Sequence, residues 1–285
     1  PLIRENVTVK VSTHVHLIPD ASVPLVPNVG FVVGSRATLV VDTGMGLRNG
    51  QAVVRELAKL GTHDELYVVS THFHPEHALG EGAFPPGARI VRGKTQQQDI
   101  DEFGLTLADT FASRSPMNKQ LLEGARYRKA DIIFEGERTI DLGGVRVRLM
   151  ALGPTHTRGD TVAWVEDDRV LFAGDIVMNG TFVAFASPYS SVRAWLAALD
   201  RLARLDPALI VPSHGEMGDA SLIEKDKAYL SALQSRTREL KAGRKTADEA
   251  ALIVTKEMQA QFPAWTNLPR AAAAVKSAFS EAGAP

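Results

Sequence analysis

The stretch Val69-Ser70-Thr71-His72-Phe73-His74-Pro75-Glu76-His77 contains three histidines and a carboxylate within six positions. It follows an apolar, β-branched run over residues 65–70, which predicts a buried strand. Pro75 has no amide hydrogen and disfavours a helical residue before it, so the strand must end and a loop begin there. The sequence therefore predicts several cation-binding groups at the carboxyl end of a strand, where open α/β sheets hold their ligands.

The other histidines are also informative. The chain has eight in all, and His156 and His214 follow further apolar stretches that predict strands. A solvated polar loop is the simpler interpretation of a histidine cluster, but repeated placement at strand ends favours a metal site. His14 and His16 lie on the polar side of an alternating strand predicted over residues 7–18. Because no carboxylate is near them in sequence, we expect them not to bind metal unless they border the active cleft.

The composition is that of a soluble enzyme without thiol chemistry. Hydrophobic residues make up 45% and charged residues 23% of the 285 positions, which is ordinary for a globular domain. The formal net charge of −1 gives no electrostatic reason to expect nucleic acid or an acidic membrane as a partner. The absence of cysteine excludes disulfides, a thiolate nucleophile and cysteine-rich structural zinc, and leaves the histidine and carboxylate ligands typical of catalytic zinc.

The sequence leaves the compartment and the assembly state open. No apolar run approaches the roughly 20 residues that span a bilayer, so we expect a soluble protein, either periplasmic or cytoplasmic, with no membrane partner. The chain begins at Pro1 without a methionine, which suggests a trimmed leader or a shortened chain. The expected partner is a small-molecule substrate, and a homo-oligomer is compatible with the sequence.

A weak internal repeat indicates the architecture. In one copy a strand ends at Asp42, an amphipathic helix follows, and a second strand ends at His72. In the other copy a strand ends at Asp175, a helix follows over 191–205, and a strand ends at His214. Two such units facing each other would bring their strand ends to one shared cleft. The sequence therefore predicts an α/β protein with four layers, an αββα sandwich.

We predict that residues 1–218 form this sandwich and that residues 219–285 are a helical extension packed on the same domain, as a structural support or a lid. An independent C-terminal domain is disfavoured because the segment is short and has few aromatic residues. Elsewhere the apolar pattern predicts a helix over 49–60, a surface helix over 94–115 and a meander of strands over 131–152.

The polar residues at the strand ends define a candidate site for two cations. The alternation of His72 and His74 suits two imidazoles on one ion, and His156 would complete a three-histidine site with an open position, as in catalytic zinc. A second ion would be held by Glu76, His77 and His214, with Asp175 bridging the pair. Two adjacent cations lower the pKa of a shared water towards about 7, which predicts attack by hydroxide without a protein nucleophile. The predicted metal ligands are His72, His74, Glu76, His77, His156, Asp175 and His214.

Some polar residues near these strands have other interpretations. Asp42 occupies the place of Asp175 in the first repeat, but we expect a structural role in which it anchors the histidine loop by hydrogen bonds. Asp160 is a possible ligand, although its turn favours a carboxylate that orients a ligand histidine. His63 follows a Gly-Thr turn and is expected to be solvent-exposed. His214 could be a buried structural histidine, but its match to His72 in the repeat favours metal binding.

The loop Thr71-His72-Phe73-His74-Pro75-Glu76-His77 resembles the HxHxDH signature of the metallo-β-lactamase superfamily. The segments Gly153–Asp160, Phe172–Asp175 and Val211–Gly215 are similar to later elements of that family and occur in the same order. The resemblance implies the αββα fold and two ions, usually zinc, with iron or manganese in some relatives.

This resemblance has one departure, since Glu76 replaces the usual aspartate of the signature. In the family that carboxylate binds the second ion and can transfer a proton to the leaving group, so the resemblance implies catalytic roles for Glu76 and Asp175. The additional methylene of Glu76 leaves metal choice and occupancy of the second site open.

The substrate is less well defined by the sequence. Asp175 in its Gly-Asp context resembles the glyoxalase II and lactonase-like branches, and the helix around Trp195 is similar to that of hydrolases related to quinoprotein relay proteins. The sequence thus predicts a dinuclear zinc hydrolase acting on an ester, lactone, thioester or lactam carbonyl. A true β-lactamase, an iron enzyme similar to sulfur dioxygenases and a non-enzymatic binding protein are the alternatives. Asn179, Phe182 and Tyr189 are the predicted substrate-binding residues.

Overall fold

The computed structural model describes residues 1–61 and 65–283. Within these ranges one sheet contains seven strands and runs in chain order from edge to edge. Its first four strands pair antiparallel, and its last four pair in parallel. The strands are β1 (Val9–Lys10), β2 (Val15–Ile18), β3 (Val29–Val33), β4 (Ala37–Val41), β5 (Glu65–Val69), β6 (Arg89–Gly93) and β7 (Ile132–Phe134).

In the same described ranges the second sheet has five strands, and strands consecutive in the chain are neighbours in the sheet. They are β8 (Glu137–Asp141), β9 (Arg146–Leu152), β10 (Asp160–Val165), β11 (Val170–Gly174) and β12 (Leu209–Pro212). Only the pair of β11 and β12 is parallel among these described strands. A parallel pair requires a crossover, and a helix supplies it here.

The α-helices flank the sheets or line the cleft between their ends. They are α1 (Gly46–Ala58), α2 (Pro75–Ala78), α3 (Lys94–Asp99), α4 (Leu105–Ser113), α5 (Pro116–Leu122), α6 (Val192–Ala203), α7 (Ser221–Ala242), α8 (Ala247–Gln261) and α9 (Arg270–Glu281). Over the described residues, each helix is too short or too polar to cross a membrane.

Apolar cores fill the spaces between the layers. One core lies between the two sheets and includes Val41, Leu149 and Phe172. Another packs the first sheet on α1 through Val53 and Val68, and a third packs the second sheet on α6, α7, α8 and α9. The layers therefore follow the order helix, sheet, sheet, helix, which confirms the predicted αββα sandwich.

The internal repeat corresponds to one βαβ unit in each sheet. Strands β4 and β5 pair in parallel around α1, and β11 and β12 pair in parallel around α6. The carboxyl ends of these strands lead to Asp42 and His72 in the first unit and to Asp175 and His214 in the second. The fold thus places the polar strand ends of both units at one side of the sandwich.

The structure corrects three predictions about local elements. The strand predicted over 7–18 is divided into β1 and β2, which pair antiparallel. The meander predicted over 131–152 is shared between sheets, because β7 pairs with β6 and the next strand belongs to the second sheet. The helix predicted over 94–115 is α3, a π-helical turn at Ile100–Gly104, and α4. It is not wholly a surface element, since Phe111 is buried.

The C-terminal helices share their core with the second sheet. Trp195 of α6 and Leu230 of α7 lie in the same apolar cluster. The buried carboxylate of Asp226 on α7 accepts a hydrogen bond of 2.8 Å from the amide of Met178, close to the end of β11. Because this core is continuous, we propose that the C-terminal extension belongs to the sandwich domain.

The first sheet contains a buried ion pair that we expect to be important for stability. Arg92 on β6 donates two hydrogen bonds of 2.8 Å to Glu81, and both side chains are 1% exposed. Replacing Arg92 with methionine should lower the free energy of unfolding by about 3–5 kcal/mol, because it leaves a buried carboxylate without its partner. The matched control is Lys94→Met, which breaks an exposed pair with Glu135 and should cost under about 1 kcal/mol. Urea unfolding of both variants measures the difference, and equal losses would contradict the prediction.

Candidate metal centre

The histidine loop is held close to α1 by two glycines. A Cβ on Gly50 of α1 would lie 2.0 Å from the carbonyl oxygen of Gly80, and a Cβ on Gly80 would lie 2.1 Å from the carbonyl oxygen of Thr43. Neither separation is compatible with a side chain at that position. Pro75 occupies the first turn of α2, where its missing amide costs no helical hydrogen bond. The loop from β5 to α2 is thereby fixed against the first sheet.

Asp42 connects the parts of the site. It lies just after β4 with a φ of 64°, and its Oδ1 accepts a hydrogen bond of 2.7 Å from the amide of Thr71. Its Oδ2 accepts from Thr71 Oγ1 at 3.0 Å, His77 Nδ1 at 2.9 Å and Ser213 Oγ at 3.2 Å. These contacts bear out the expectation that Asp42 anchors the histidine loop by hydrogen bonds.

Most of the clustered imidazoles are oriented through Nδ1. His156 Nδ1 donates to the carbonyl oxygen of Ala184 at 2.7 Å, and His214 Nδ1 donates to that of Val26 at 3.0 Å. A proton held on Nδ1 leaves the Nε2 lone pair available to a cation. His74 presents the other nitrogen, since its Nδ1 lies 3.3 Å from His156 Nε2.

The structure brings the seven predicted ligands into three overlapping groups. In each group the candidate ligand atoms lie within 4.8 Å of one another. Asp175 groups with one histidine from each predicted ion site, which is the position expected of a bridging carboxylate. The groups are His72, His74 and His156; His72, His77 and Asp175; and Glu76, His77 and His214.

The chemistry of this donor set fits divalent cations. Buried polar atoms in folded proteins nearly always have hydrogen-bond partners. Here four neighbouring ligand-type atoms are buried without one: His72 Nε2, Glu76 Oε2, His77 Nε2 and Asp175 Oδ1. Imidazole nitrogens and carboxylate oxygens are the ligands that zinc takes in catalytic sites. Metal ions at this position would satisfy all four atoms.

Burial and mutual proximity shift the ionisation of these groups. Burial lowers the pKa of His72 and of His74 well below the usual range, and the neighbouring histidines lower it further. Burial also lowers the pKa of His77, but the Asp42 carboxylate outweighs this effect and raises it to about 9. Burial tends to raise the pKa of Asp175, whereas the surrounding histidines depress it below its ordinary range. A cation bound at His77 Nε2 would take the place of a proton.

Asp160 acts on the backbone around His156 and does not contact the ring. Its Oδ2 accepts from the amide of Thr157 at 2.9 Å and from the hydroxyl of Thr155, and its Oδ1 accepts from Thr157 Oγ1 at 2.6 Å. This corrects the prediction that the Asp160 carboxylate orients the ligand histidine itself. The carbonyl of Ala184 orients the imidazole, and Asp160 closes the turn that carries it.

The remaining histidines differ from the clustered ones. His14 Nδ1 contacts Asp168 Oδ1 at 2.6 Å, which links the start of β2 to the turn between β10 and β11. His16 belongs to none of the ligand groups found among the described residues. His63, expected to be solvent-exposed, lies outside the described residues.

A cleft of about 900 Å³ opens over the clustered ligands. Asn179, one of the three predicted substrate-binding residues, lines this cleft. Phe182 does not, because its ring is fully buried beside Tyr229 and Trp265. Tyr189 is 45% exposed and lies beside a different surface depression. For Phe182 and Tyr189 the prediction is not supported by the geometry.

Sequence reasoning missed both arginines of this cleft. Arg114 follows α4 and Arg270 begins α9, and both line the cleft together with ligand residues. Neither position carries a local sequence signal, because α4 was predicted to be a surface helix and α9 a packing element. Their proximity to the ligands depends on how distant helices pack.

The fold and the cluster of ligand-type residues indicate one class of protein, and comparison with known protein families identifies the same class. The family model of the metallo-beta-lactamase superfamily matches residues 23–214. The chain belongs to this superfamily, and it is a hydrolase of that class.

The chain is similar to proteins that carry different names and activities. The acyl-coenzyme A thioesterase MBLAC2 of Gallus gallus is 29% identical over 227 residues, which are 72% of this chain and 78% of that protein. The structure of the sec-alkylsulfatase Pisa1 from Pseudomonas sp. superposes with a TM-score of 0.76 and 13% identity, covering 96% of this chain and 50% of that one. A metallo-beta-lactamase from Pontibacter korlensis superposes with a TM-score of 0.63 and 20% identity, covering 79% of this chain and 98% of that one. At these identities the structural matches show the fold alone, and this chain spans half the length of Pisa1.

Replacing Asp42 with asparagine should weaken zinc binding by about 10–100-fold, the range typical for loss of a group that orients a metal ligand. The amide would place a donor against the His77 and Thr71 donors. Competition with a chromophoric chelator measures the affinity. The matched control is Asp168→Asn, which alters a carboxylate–histidine pair outside the cluster and should leave zinc affinity within about twofold. Equal losses in both variants would show that Asp42 has no specific role at the site.

Proposed function

We propose that this chain is a dinuclear zinc hydrolase that cleaves acyl thioesters. The observation that carries the proposal is the convergence of buried imidazole nitrogens and carboxylate oxygens without hydrogen-bond partners at the floor of an open cleft. We assign the ligands as His72, His74 and His156 for one ion and Glu76, His77 and His214 for the other, with Asp175 shared between them.

Bound zinc ions would lower the pKa of a water towards about 7 and polarise the substrate carbonyl. The protein contributes orientation and proton transfer. Asp175 lies 3.5 Å from His156 Nε2 and groups with ligands of both sites, so its carboxylate fixes the spacing of the two halves. Thioester hydrolysis forms a bond from the water oxygen to the carbonyl carbon and breaks the bond from that carbon to sulfur. Glu76 Oε1, the carboxylate oxygen left free when Oε2 binds the cation, is the proposed atom that accepts the proton of the water and returns it to the departing thiolate.

Two observations favour a thioester among carbonyl substrates. MBLAC2 is an acyl-coenzyme A thioesterase, and the match covers 72% of this chain. The cleft also has apolar lining residues suited to an acyl chain, among them Val23, Leu25, Leu107, Phe111 and Met178. The sequence contains no cysteine, so an acyl-cysteine intermediate cannot form on this chain.

The test is turnover of butyryl- and palmitoyl-coenzyme A by protein whose metal content has been measured. We expect close to two zinc ions per chain. His74→Ala and Asp175→Ala should each lower kcat/KM by about 100-fold or more, since a metal ion contributes several kcal/mol to stabilising the transition state. His16→Ala, which removes a histidine outside the ligand groups, is the matched control and should retain activity.

Two results would refute this proposal. Iron in place of zinc would favour the redox alternative. Turnover of β-lactams or alkyl sulfates without thioester hydrolysis would keep the metal site but replace the substrate class.

A further inference from the structure

The cleft above the ligand cluster has cationic groups on both of its walls. One wall comes from the first half of the chain, where Arg114 follows α4, and the other from the C-terminal extension, where Arg270 begins α9. Both residues line the cleft that His74 and His156 also line. Each wall therefore contributes a cationic residue to the cleft that holds the candidate reaction centre.

Within residues 1–61 and 65–283, the contacts found for both arginines are with uncharged groups. Among the described residues, no carboxylate lies within ion-pair distance of Arg114 or Arg270. The guanidinium of Arg114 lies 3.7 Å from the ring centre of Phe111, and Arg270 donates one hydrogen bond of 3.3 Å to the carbonyl oxygen of Phe182. Stacking and a single carbonyl contact hold the side chains in place but leave most of their N–H donors available.

The acidic residues of the cleft are already engaged elsewhere. Asp20 accepts hydrogen bonds from the amides of Ser22 and Gly215. Glu76 and Asp175 belong to the candidate ligand groups. Bound cations would make the cleft more positive still. A bound anion would therefore supply the negative charge that the two arginines lack.

The arginine on the first wall stacks on an aromatic ring that neighbours a candidate ligand. The ring of Phe111, on which Arg114 stacks, has its centre 6.0 Å from that of His74. On the second wall, Arg270 contacts the segment that carries Ala184, whose carbonyl orients His156. The groups that Arg114 and Arg270 contact are thus next to the part of the cluster formed by His72, His74 and His156.

We infer that Arg114 and Arg270 bind an anionic oxygen group of the substrate beside the scissile bond. This inference deepens the proposed hydrolase function and rests on it. A carboxylate or sulfate on the acyl side and a phosphate on the leaving group share this chemistry. It also gives the C-terminal extension a direct part in substrate recognition.

The experiment compares one neutral thioester with two anionic thioesters that carry their charge on different parts of the molecule. Butyryl-N-acetylcysteamine is neutral, glutaryl-N-acetylcysteamine has an acyl carboxylate, and butyryl-coenzyme A has phosphates on the leaving group. Arg114→Gln and Arg270→Gln should each lower the ratio of kcat/KM for an anionic thioester to kcat/KM for the neutral one by about 10-fold, the usual effect of losing a charge-assisted hydrogen bond. The substrate whose ratio falls identifies the source of the anion.

The matched control is Arg204→Gln, which replaces an exposed arginine at the end of α6. This variant should leave both ratios unchanged.

Unchanged ratios for both anionic thioesters, or an equal fall with Arg204→Gln, would overturn the inference. If no thioester is hydrolysed, the proposed function fails, and calorimetric titration with octyl sulfate decides the inference separately. Binding to wild-type protein at least about 10-fold tighter than to either cleft variant supports an anion site. Equal affinity, or binding no tighter than that of octyl glucoside, rejects it.

Discussion

The hydrogen bonds of the Asp42 carboxylate are the constraint on which the rest of the site depends. Through Thr71 and His77 they fix the histidine loop, and through Ser213 they connect it to the segment carrying His214. The amide of Asn28 donates to the carbonyl oxygen of Ser213 at 2.7 Å and adds a second connection between the halves. A buried carboxylate is costly unless its oxygens are well satisfied, and this one accepts three hydrogen bonds from the histidine loop and a fourth from Ser213 of the second half.

The two βαβ units explain why distant residues can meet with such small separations. Parallel strands present their carboxyl ends at one edge, and packing two sheets face to face brings these edges together. In the second unit, strand β11 ends beside Asp175 and strand β12 leads to His214. Both residues therefore lie at the same edge of the sandwich as the histidine loop. The strand ends hold the candidate ligand atoms of each group within 4.8 Å of one another, and this convergence leaves four buried ring and carboxylate atoms without hydrogen-bond partners.

The sequence was sufficient for the fold and for the cluster of ligand-type residues, because histidine and aspartate at strand ends are local features with a periodic context. The sequence did not predict which side chains line the walls of the cleft. Phe182 was expected in the pocket, but the aromatic side chains of Tyr229 and Trp265, more than 40 positions away, draw it into the core. Arg114 and Arg270 reach the cleft only through the packing of α4 and α9, which no local pattern encodes.

We propose that two cations occupy the converging ligand groups. Anomalous diffraction at the zinc absorption edge, from crystals grown with zinc, is the decisive measurement. Two peaks are expected within bonding distance of the assigned side chains, one beside His74 and His156 and one beside Glu76 and His214, with Asp175 between them. A single peak, or zinc bound away from this cluster, would show that this assignment is wrong.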